Sequence, residues 1–294
     1  MKYSNSVLFA KGQQSSTDNY NDFGYFNDGT VWYETPPTYT ARVTAYAAAT
    51  GITDYTILDS LNEFDKGLVY WGLDTIMKAL YPMVTDKTSQ SDMANQMKYN
   101  FMNPLDTNPA FRLQWFGGWV YSRTGALPNG VNAYADTFLA ANTMAQNSTH
   151  FSFYSRTNRV GSGNVIMGYQ TGTQVSLIYP RFTDNNAYVN VNRDASIGGL
   201  ATAVTNTTGL YVANRTSSTN TILYKNNVIS STNSSTSIAP PAISYYLGTA
   251  RNLSLYDNLE FAFASIGDGL TDFQAGIFST LVNNLQKALN RAVY

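Results

Sequence analysis

The sequence has no cysteine and a single histidine, His150, among its 294 residues. The absence of cysteine excludes disulfide bridges and thiolate metal sites, and a single histidine excludes a multi-histidine metal site within one chain. Charged residues are also scarce. They make up 13% of the chain, against roughly 25% in an average domain. The polar surface must come from Asn, Ser and Thr, a composition typical of β-rich extracellular or virion proteins.

The few charges are nearly balanced, with 18 basic and 19 acidic residues and a formal net charge of −1. A protein that neutralises the phosphates of a nucleic acid needs a basic face, and no run of Lys or Arg provides one. No apolar run approaches the ~20 residues of a membrane helix. The run from Val7 to Ala10 is shorter than the core of a secretory signal. We therefore expect no nucleic-acid partner, no membrane insertion and no signal-peptide export.

The first third of the chain divides into two regions. Residues 1–50 are polar, aromatic and interrupted by Gly and Pro, which predicts an extended N-terminal arm or a few short strands. Residues 51–105 are predicted to be a helical segment packed on the rest of the protein. Apolar side chains recur there at spacings of three and four from Ile57 onward, as in an amphipathic helix, and this apolar face continues to Leu80.

The remaining region, residues 106–294, predicts a β-sandwich. Short segments of alternating apolar and polar residues follow one another, separated by turn residues, as in two-sheet sandwiches. Asn226 and Asn227 stand between two apolar runs, and Asn tolerates the left-handed backbone of a tight hairpin. The chain closes with a helix predicted over residues 271–291, where Thr271 and Gln274 have capping-box spacing. Its predicted apolar stripe is Phe273, Ile277, Leu281, Leu285 and Leu289, widened by Phe278, Val282 and Ala288.

Four segments carry information beyond this pattern: "FGGWVYSRTGALPNGVNAYADT", "STHFSFYSRTN", "GLYVANRTSSTNTILYKNNVI" and "FAFASIGDGLTDFQAGIFSTLVNNLQKALNR". Together they resemble the concanavalin A-like (laminin-G-like) sandwich of tail and structural proteins of tailed bacteriophages, over roughly residues 50–294. The resemblance implies a mainly β, two-sheet jelly-roll sandwich with an N-terminal helical segment and a closing C-terminal helix. It also implies a virion role and supplies no catalytic site.

From this resemblance we expect a non-enzymatic structural protein of the virion, in the tail or tail fibre. It would be assembled in the host cytoplasm, contact other virion proteins and form a symmetric homo-oligomer. A head or neck decoration protein is an alternative, because a fold does not fix a function. A second alternative is a carbohydrate-binding or host-receptor module that attaches to a surface glycan.

A candidate glycan site supports that second alternative. Lectin-like sites pair a flat aromatic ring with amides or carboxylates, because a sugar presents C–H faces and hydroxyl edges. The candidate residues are Trp119, Tyr121, Asn129, Asn132 and Tyr134. If this hypothesis holds, replacing Trp119 by Ala should abolish glycan binding and leave the fold intact. The competing interpretation places Trp119 and Tyr134 in the core of the sandwich and assigns the two asparagines to turns.

Catalytic and metal chemistry find little support in the residues. A glycoside hydrolase needs two placed carboxylates, and the nearest pair, Asp257 and Glu260, is three residues apart and cannot share one strand face. His150 precedes a β-segment and is expected to be structural. We therefore expect no catalytic residues and no cofactor.

Two smaller expectations remain. The oxygen-rich segments around Asp184, Asp194 and Asp268 could hold a structural calcium ion, although they lack EF-hand spacing. Arg156 and Arg215, at predicted strand ends, are expected to pair with carboxylates across the rim of the sandwich.

Overall fold

The computed structural model describes residues 38–159, 164–195, 199–250 and 254–294, together with two short strands at 25–27 and 32–34. The chain divides into two units, Met1–Thr40 and Ala41–Tyr294. In the first unit the two strands pair antiparallel, with Phe26 opposite Tyr33. The remainder of the predicted arm up to residue 37 lies outside the described residues.

The strands account for most of the regular structure. In chain order they are β1 (Tyr25–Asn27), β2 (Trp32–Glu34), β3 (Met77–Tyr81), β4 (Gln114–Phe116), β5 (Trp119–Ser122), β6 (Gly125–Pro128), β7 (Tyr134–Ala140), β8 (Thr149–Ser155), β9 (Met167–Thr171), β10 (Gln174–Tyr179), β11 (Asn186–Asp194), β12 (Leu200–Ala203), β13 (Gly209–Ser217), β14 (Asn220–Lys225), β15 (Val228–Asn233), β16 (Ser244–Leu247) and β17 (Phe261–Gly267).

Two antiparallel sheets of the second unit form the predicted sandwich. One has seven strands in the order β12-β11-β10-β9-β16-β7-β4, and the other has eight, in the order β15-β14-β13-β8-β17-β6-β5 with β3 also paired to β17. Their inner faces enclose one large apolar core that includes Phe151, Phe153, Tyr169, Tyr211 and Tyr245. The fold is therefore mainly β, a lectin-like jelly-roll sandwich, as the sequence predicted.

Four α-helices accompany the sheets in the described residues: α1 (Ala41–Thr50), α2 (Tyr55–Tyr70), α3 (Gln90–Met97) and α4 (Asp272–Ala288). The predicted capping box of the last helix is present, since Thr271 accepts from the Gln274 backbone and Gln274 accepts from the Thr271 backbone. Within the described parts of the chain, no helix is both long enough and apolar enough to cross a membrane.

Helices cover the outer face of the eight-stranded sheet. Phe278 of α4 packs against Phe263 and against the ring of His150, with ring centroids 5.9 Å apart in both pairs. Helix α2 lies beside α4, where Gly67 leaves room for Leu281: a Cβ at Gly67 would lie 2.4 Å from Leu281 Cδ2. The central strands β8 and β17 are buried on both faces for this reason.

The hairpin predicted from Asn226 and Asn227 is confirmed. The two residues connect β14 to β15 with φ values of 51° and 67°, the left-handed conformation that a two-residue hairpin loop requires at both positions. The side chain of Asn226 also accepts a hydrogen bond of 2.9 Å from the backbone of Leu210. This turn fixes the register of the strands at one end of the sandwich.

Two stretches differ from the sequence-based prediction. Residues 77–81, expected to continue the helical apolar face, form strand β3, whose Leu80 lies opposite Ser265 of β17. Pairing with an open edge of β17 outweighs the local helical spacing there, as tertiary context often does. Residues 41–50, assigned to the extended arm, form helix α1, which buries Val43, Tyr46 and Thr50.

His150 is a buried structural histidine, as predicted. It has no exposed surface, and its Nδ1 lies 2.6 Å from the carbonyl oxygen of Asp268. A carbonyl oxygen only accepts, so Nδ1 carries the proton and Nε2 accepts from Ser265, 3.3 Å away. Burial lowers the pKa of His150 to about 4, against a smaller opposing effect of Asp268. The imidazole is therefore neutral at pH 7.

Candidate functional site

The seven-stranded sheet presents a row of aromatic side chains on its outer face. Strand β7 alternates strictly between half-buried and buried residues, so that Tyr134, Asp136 and Phe138 face outward while the intervening residues enter the core. Phe116 of β4 lies directly opposite Tyr134, and Tyr246 of β16 lies opposite Asp136. Neighbouring strands therefore bring aromatic rings together at this end of the sheet.

We call Phe116, Tyr134, Tyr246 and Tyr256 the outer aromatic platform. The rings of Phe116 and Tyr134 are stacked, with centroids 4.7 Å apart and planes at 12°. Tyr246 meets Tyr134 edge to face at 5.9 Å, and Tyr256 lies 6.4 Å from it at 37°. All four side chains are half-buried. They form a partly solvent-accessible aromatic surface on the outside of the sandwich.

A carboxylate borders the platform. Oδ1 of Asp136 accepts a hydrogen bond of 2.7 Å from the backbone of Phe138, while Oδ2 makes no hydrogen bond to the described residues. Burial raises the pKa of Tyr134 and that of Tyr246, and the charge of Asp136 contributes to both shifts. Both hydroxyls therefore stay protonated at neutral pH. Rings, phenol hydroxyls and a carboxylate lie together, which suits a ligand with an apolar face and hydroxyl edges.

The other two aromatic residues of the sequence-predicted site point inward. Trp119 packs against the core, and its Nε1 donates to the carbonyl oxygens of Phe116 and Tyr134 at 3.0 and 3.2 Å. Tyr121 is 7% exposed, and its ring lies nearly parallel to that of Trp119 at 6.4 Å. Tyr134 alone of the three predicted aromatics belongs to the platform.

The predicted asparagines shape the turn between β6 and β7. Oδ1 of Asn129 accepts from the backbone nitrogens of Val131, Asn132 and Ala133 at 2.9–3.1 Å. Nδ2 of Asn129 donates to Oδ1 of Asn132 at 2.8 Å, and that same oxygen accepts from the backbone of Gly118. The structure thus brings the five predicted residues into one region but directs their side chains to three different places.

The carboxylates considered for hydrolysis each have basic or hydroxyl partners. Asp257 is fully buried and pairs with Arg159. Glu260 accepts a hydrogen bond from the hydroxyl of Thr124 and lies 3.4 Å from Nη1 of Arg156. Arg156 thus has the carboxylate partner that the sequence predicted. Arg215 does not: its guanidinium donates to backbone carbonyls and to one threonine hydroxyl.

The oxygen-rich segments proposed for calcium are engaged in protein contacts. Asp184 accepts hydrogen bonds from Asn186 and from the hydroxyl of Tyr188, and Asp268 pairs with Lys78 at 3.3 Å. Within the described ranges, no three His, Asp or Glu side chains gather as a metal site. The calcium site stays a prediction.

Sequence reasoning missed Phe116, Tyr246 and Tyr256 as members of the platform. The alternation of "YADTFLA" predicts that Tyr134 and Asp136 share one face. It does not say which strands flank β7, and these come from positions 114–116 and 244–247 of the chain. The missing information is the pairing of strands, which no local pattern contains.

Comparisons with known proteins agree with the fold. No family model matches the sequence, and no curated protein matches it either. Among solved structures, the chain is similar to domain 4 of AbnA, a GH43 extracellular arabinanase from Geobacillus stearothermophilus, in complex with arabinotriose. The TM-score is 0.51 at 13% identity, over 69% of this chain and 98% of that domain. The match supports the class already defined by the two sheets, a lectin-like β-sandwich.

Two further solved structures match more weakly. A Trypanosoma rangeli sialidase mutant with trans-sialidase activity aligns with a TM-score of 0.49 at 9% identity, over 81% of this chain and 40% of that one. The other is a structure of botulinum neurotoxin type C, a toxin whose cell entry depends on interaction with two ganglioside molecules. It aligns with a TM-score of 0.48 at 9% identity, over 72% of this chain and 53% of that one. The chain thus spans about half or less of these two proteins.

The arabinanase match corrects one sequence-based prediction. A non-enzymatic protein was expected, yet the same fold occurs as a domain of a glycoside hydrolase. The fold therefore does not separate this chain from carbohydrate-active enzymes, and the prediction is wrong as a classification. At 13% identity the match establishes the fold and assigns no residue to a reaction.

Proposed function

We propose that the chain is a carbohydrate-binding module whose ligand lies on the outer aromatic platform. The observation that carries the proposal is the stacked and tilted arrangement of Phe116, Tyr134, Tyr246 and Tyr256, half-exposed beside Asp136. Aromatic faces contact the apolar C–H face of a sugar ring, and the tyrosine hydroxyls and the carboxylate meet its hydroxyl groups. The bond from Phe138 to Asp136 holds that carboxylate in place.

The platform differs from the site predicted from the sequence alone. In this proposal Trp119 and Tyr121 support the platform from inside, since Trp119 donates to the carbonyl oxygens of Phe116 and Tyr134. Asn129 and Asn132 fix the turn that leads into β7. Tyr134 is the member common to both versions of the site, and its substitution is the sharpest test.

We expect the substitution Tyr134→Ala to weaken glycan binding by about two- to tenfold, because an aromatic contact contributes ~0.5–1.5 kcal/mol and each 1.4 kcal/mol is tenfold in affinity. Tyr134→Phe keeps the ring and should retain most of the affinity. A panel of neutral oligosaccharides, with arabinan fragments among them, would first identify a ligand. Titration calorimetry would then compare the variants.

The control for this test is Tyr70→Ala, which removes an aromatic side chain that is 79% exposed and lies outside the platform. It should bind the ligand like the parent protein. The proposal is wrong if no glycan on the panel binds, or if Tyr134→Ala and Tyr70→Ala bind equally well.

We also propose, as a second and finer assignment, that the module is displayed on the virion of a tailed phage, in the tail or tail fibre. This rests on the resemblance of the four sequence segments and on the low charge content. Electron microscopy of particles labelled with an antibody against the protein tests it. Label at the tail is expected. Label at the head or neck would favour a decoration protein, and accessible particles without label would contradict a virion role.

A further inference from the structure

At one end of the sandwich, four polar atoms are buried without a hydrogen-bond partner among the residues that the structure describes. They are Nε and Nη2 of Arg159, Oδ2 of Asp257 and the hydroxyl of Tyr211. Arg159 follows the end of β8, Tyr211 lies near the start of β13, and Asp257 precedes β17, three strands that are neighbours in one sheet. Buried polar groups without partners are rare and call for a physical explanation, because each costs its desolvation energy.

Arg159 is held firmly on one side only. Its Nη1 donates to Asp257 and lies 3.3 Å from Oδ1 of Asn258. Its backbone nitrogen donates to Thr207 at 2.8 Å, and its carbonyl oxygen accepts from Arg181 at 3.1 Å. Because Nη1 is the nitrogen cis to Cδ, the N–H bonds of Nε and Nη2 point together along the opposite edge. That edge is the two-donor fork that matches a carboxylate.

The charges around the fork favour an anion. Arg159, Arg181 and Asp257 all act on the hydroxyl of Tyr211, whose pKa is raised mainly by burial. A third cation is close, since Nζ of Lys225 lies 5.2 Å from the centre of the Tyr211 ring. Three cations and one carboxylate, Asp257, thus lie around the Tyr211 side chain, and that carboxylate already accepts from the backbone of Asn258 and Leu259 as well as from Arg159. A positive excess in a partly buried place is stabilised by a bound anion.

We propose that this cluster binds a carboxylate that carries a neighbouring hydroxyl group, as in a uronic acid. The carboxylate would accept both hydrogen bonds of the Arg159 fork. The ligand hydroxyl would donate to Oδ2 of Asp257, an atom that can only accept when ionised. The Tyr211 hydroxyl would complete the site. The cluster is separate from the outer aromatic platform, although Tyr256 of the platform and Asp257 are adjacent in the chain.

The test is titration calorimetry of the full chain with D-glucuronate, with D-glucose as the probe that lacks the carboxylate. Saturable binding of glucuronate and none of glucose is expected. Arg159→Lys keeps a positive charge beside Asp257 but loses the fork, and should weaken glucuronate binding at least tenfold. Arg123→Lys is the matched control. Arg123 is 63% exposed, and its Nη1 lies 3.8 Å from Oδ2 of Asp54, a long contact. Its substitution should leave glucuronate binding unchanged.

Tyr211→Phe guards against a folding defect in Arg159→Lys. It removes only a hydroxyl that has no hydrogen-bond partner in the described part of the chain, so the fold should persist while glucuronate binding weakens severalfold. Equal binding of glucose and glucuronate, no binding of glucuronate to the parent protein, or undiminished binding in a folded Arg159→Lys or Tyr211→Phe variant would overturn the proposal. None of these outcomes bears on the platform, which is tested with neutral glycans at Tyr134.

Discussion

The substitution Arg215→Met is expected to lower the free energy of unfolding by about 3–5 kcal/mol, because a buried hydrogen-bond network loses its central donor. Arg215 is fully buried, and its Nε donates to the carbonyl oxygen of Val191 in the opposite sheet at 2.7 Å. The two Nη groups donate to Ser217, Ser218, Thr221 and Ser235 at 2.7–3.1 Å.

Methionine fills a similar volume but donates nothing. Four buried or partly buried carbonyl oxygens lose their arginine donor, and each one that stays unsatisfied costs ~1–3 kcal/mol before relaxation. Arginine tolerates this site because its charge is delocalised and weakly hydrated. Burial nevertheless lowers the pKa of Arg215 to about 10, and the neighbouring Arg193 adds to the shift. Arg215→Lys should therefore be destabilised as well, though less than Arg215→Met.

Urea unfolding followed by tryptophan fluorescence measures the effect. Arg156→Met is the matched control, because Arg156 is only partly buried and its guanidinium makes one 3.0 Å bond to Arg291 and a 3.4 Å contact with Glu260. We expect a loss of about 1 kcal/mol there. Equal stabilities of Arg215→Met and Arg156→Met would show that the bridge between the sheets is unimportant.

The sequence predicts those parts of the fold in which local chemistry and tertiary structure agree. Asn226 and Asn227 form the hairpin because their side chains tolerate the backbone that the turn needs. Thr271 and Gln274 begin the last helix because their side chains satisfy backbone donors that would otherwise lack a partner. Neither feature depends on which strands pair.

Features that depend on distant contacts were not predictable. The stripe expected to be buried in the last helix begins with Phe273, which is 65% exposed and meets Trp71 at 5.6 Å. Phe278, Val282 and Leu285 of the same predicted stripe are buried, together with Ala275. Which members of a wide apolar stripe become buried depends on the positions of β17 and α2, which the helix sequence does not contain. Arg215 is similar, since its carbonyl partners come from three separate stretches of the chain.

The candidate site also has one part that the local sequence predicts and one part that depends on distant contacts. Alternation in β7 places Tyr134 on an outer face, and that inference needs only the strand itself. The inward direction of Trp119 depends on strand pairing, because its Nε1 donates to the carbonyl oxygens of Phe116 in β4 and Tyr134 in β7. The local sequence around Trp119 does not contain that pairing.

This placement gives the second prediction: Trp119→Ala should lower the free energy of unfolding by about 3 kcal/mol, the lower end of the range for large aromatic side chains in a core. The ring packs edge to face on Trp115 at 4.9 Å and lies 6.1 Å from Phe261. Its removal leaves a cavity and frees the carbonyl oxygens of Phe116 and Tyr134.

The result separates a supporting role from direct ligand contact, because the earlier expectation was a loss of binding with the fold intact. Trp119→Phe is the informative companion, since it keeps a ring in the core but loses both Nε1 hydrogen bonds, and should cost about 1–2 kcal/mol. Denaturant unfolding and titration with a platform ligand would be measured on the same samples. If Trp119→Ala is as stable as the parent protein and yet fails to bind, the indole is itself in contact with the glycan. The other outcome is that Trp119→Ala is less stable than the parent protein while Trp119→Phe binds the ligand only slightly more weakly. The ring would then act on the ligand indirectly, through the backbone of Phe116 and Tyr134.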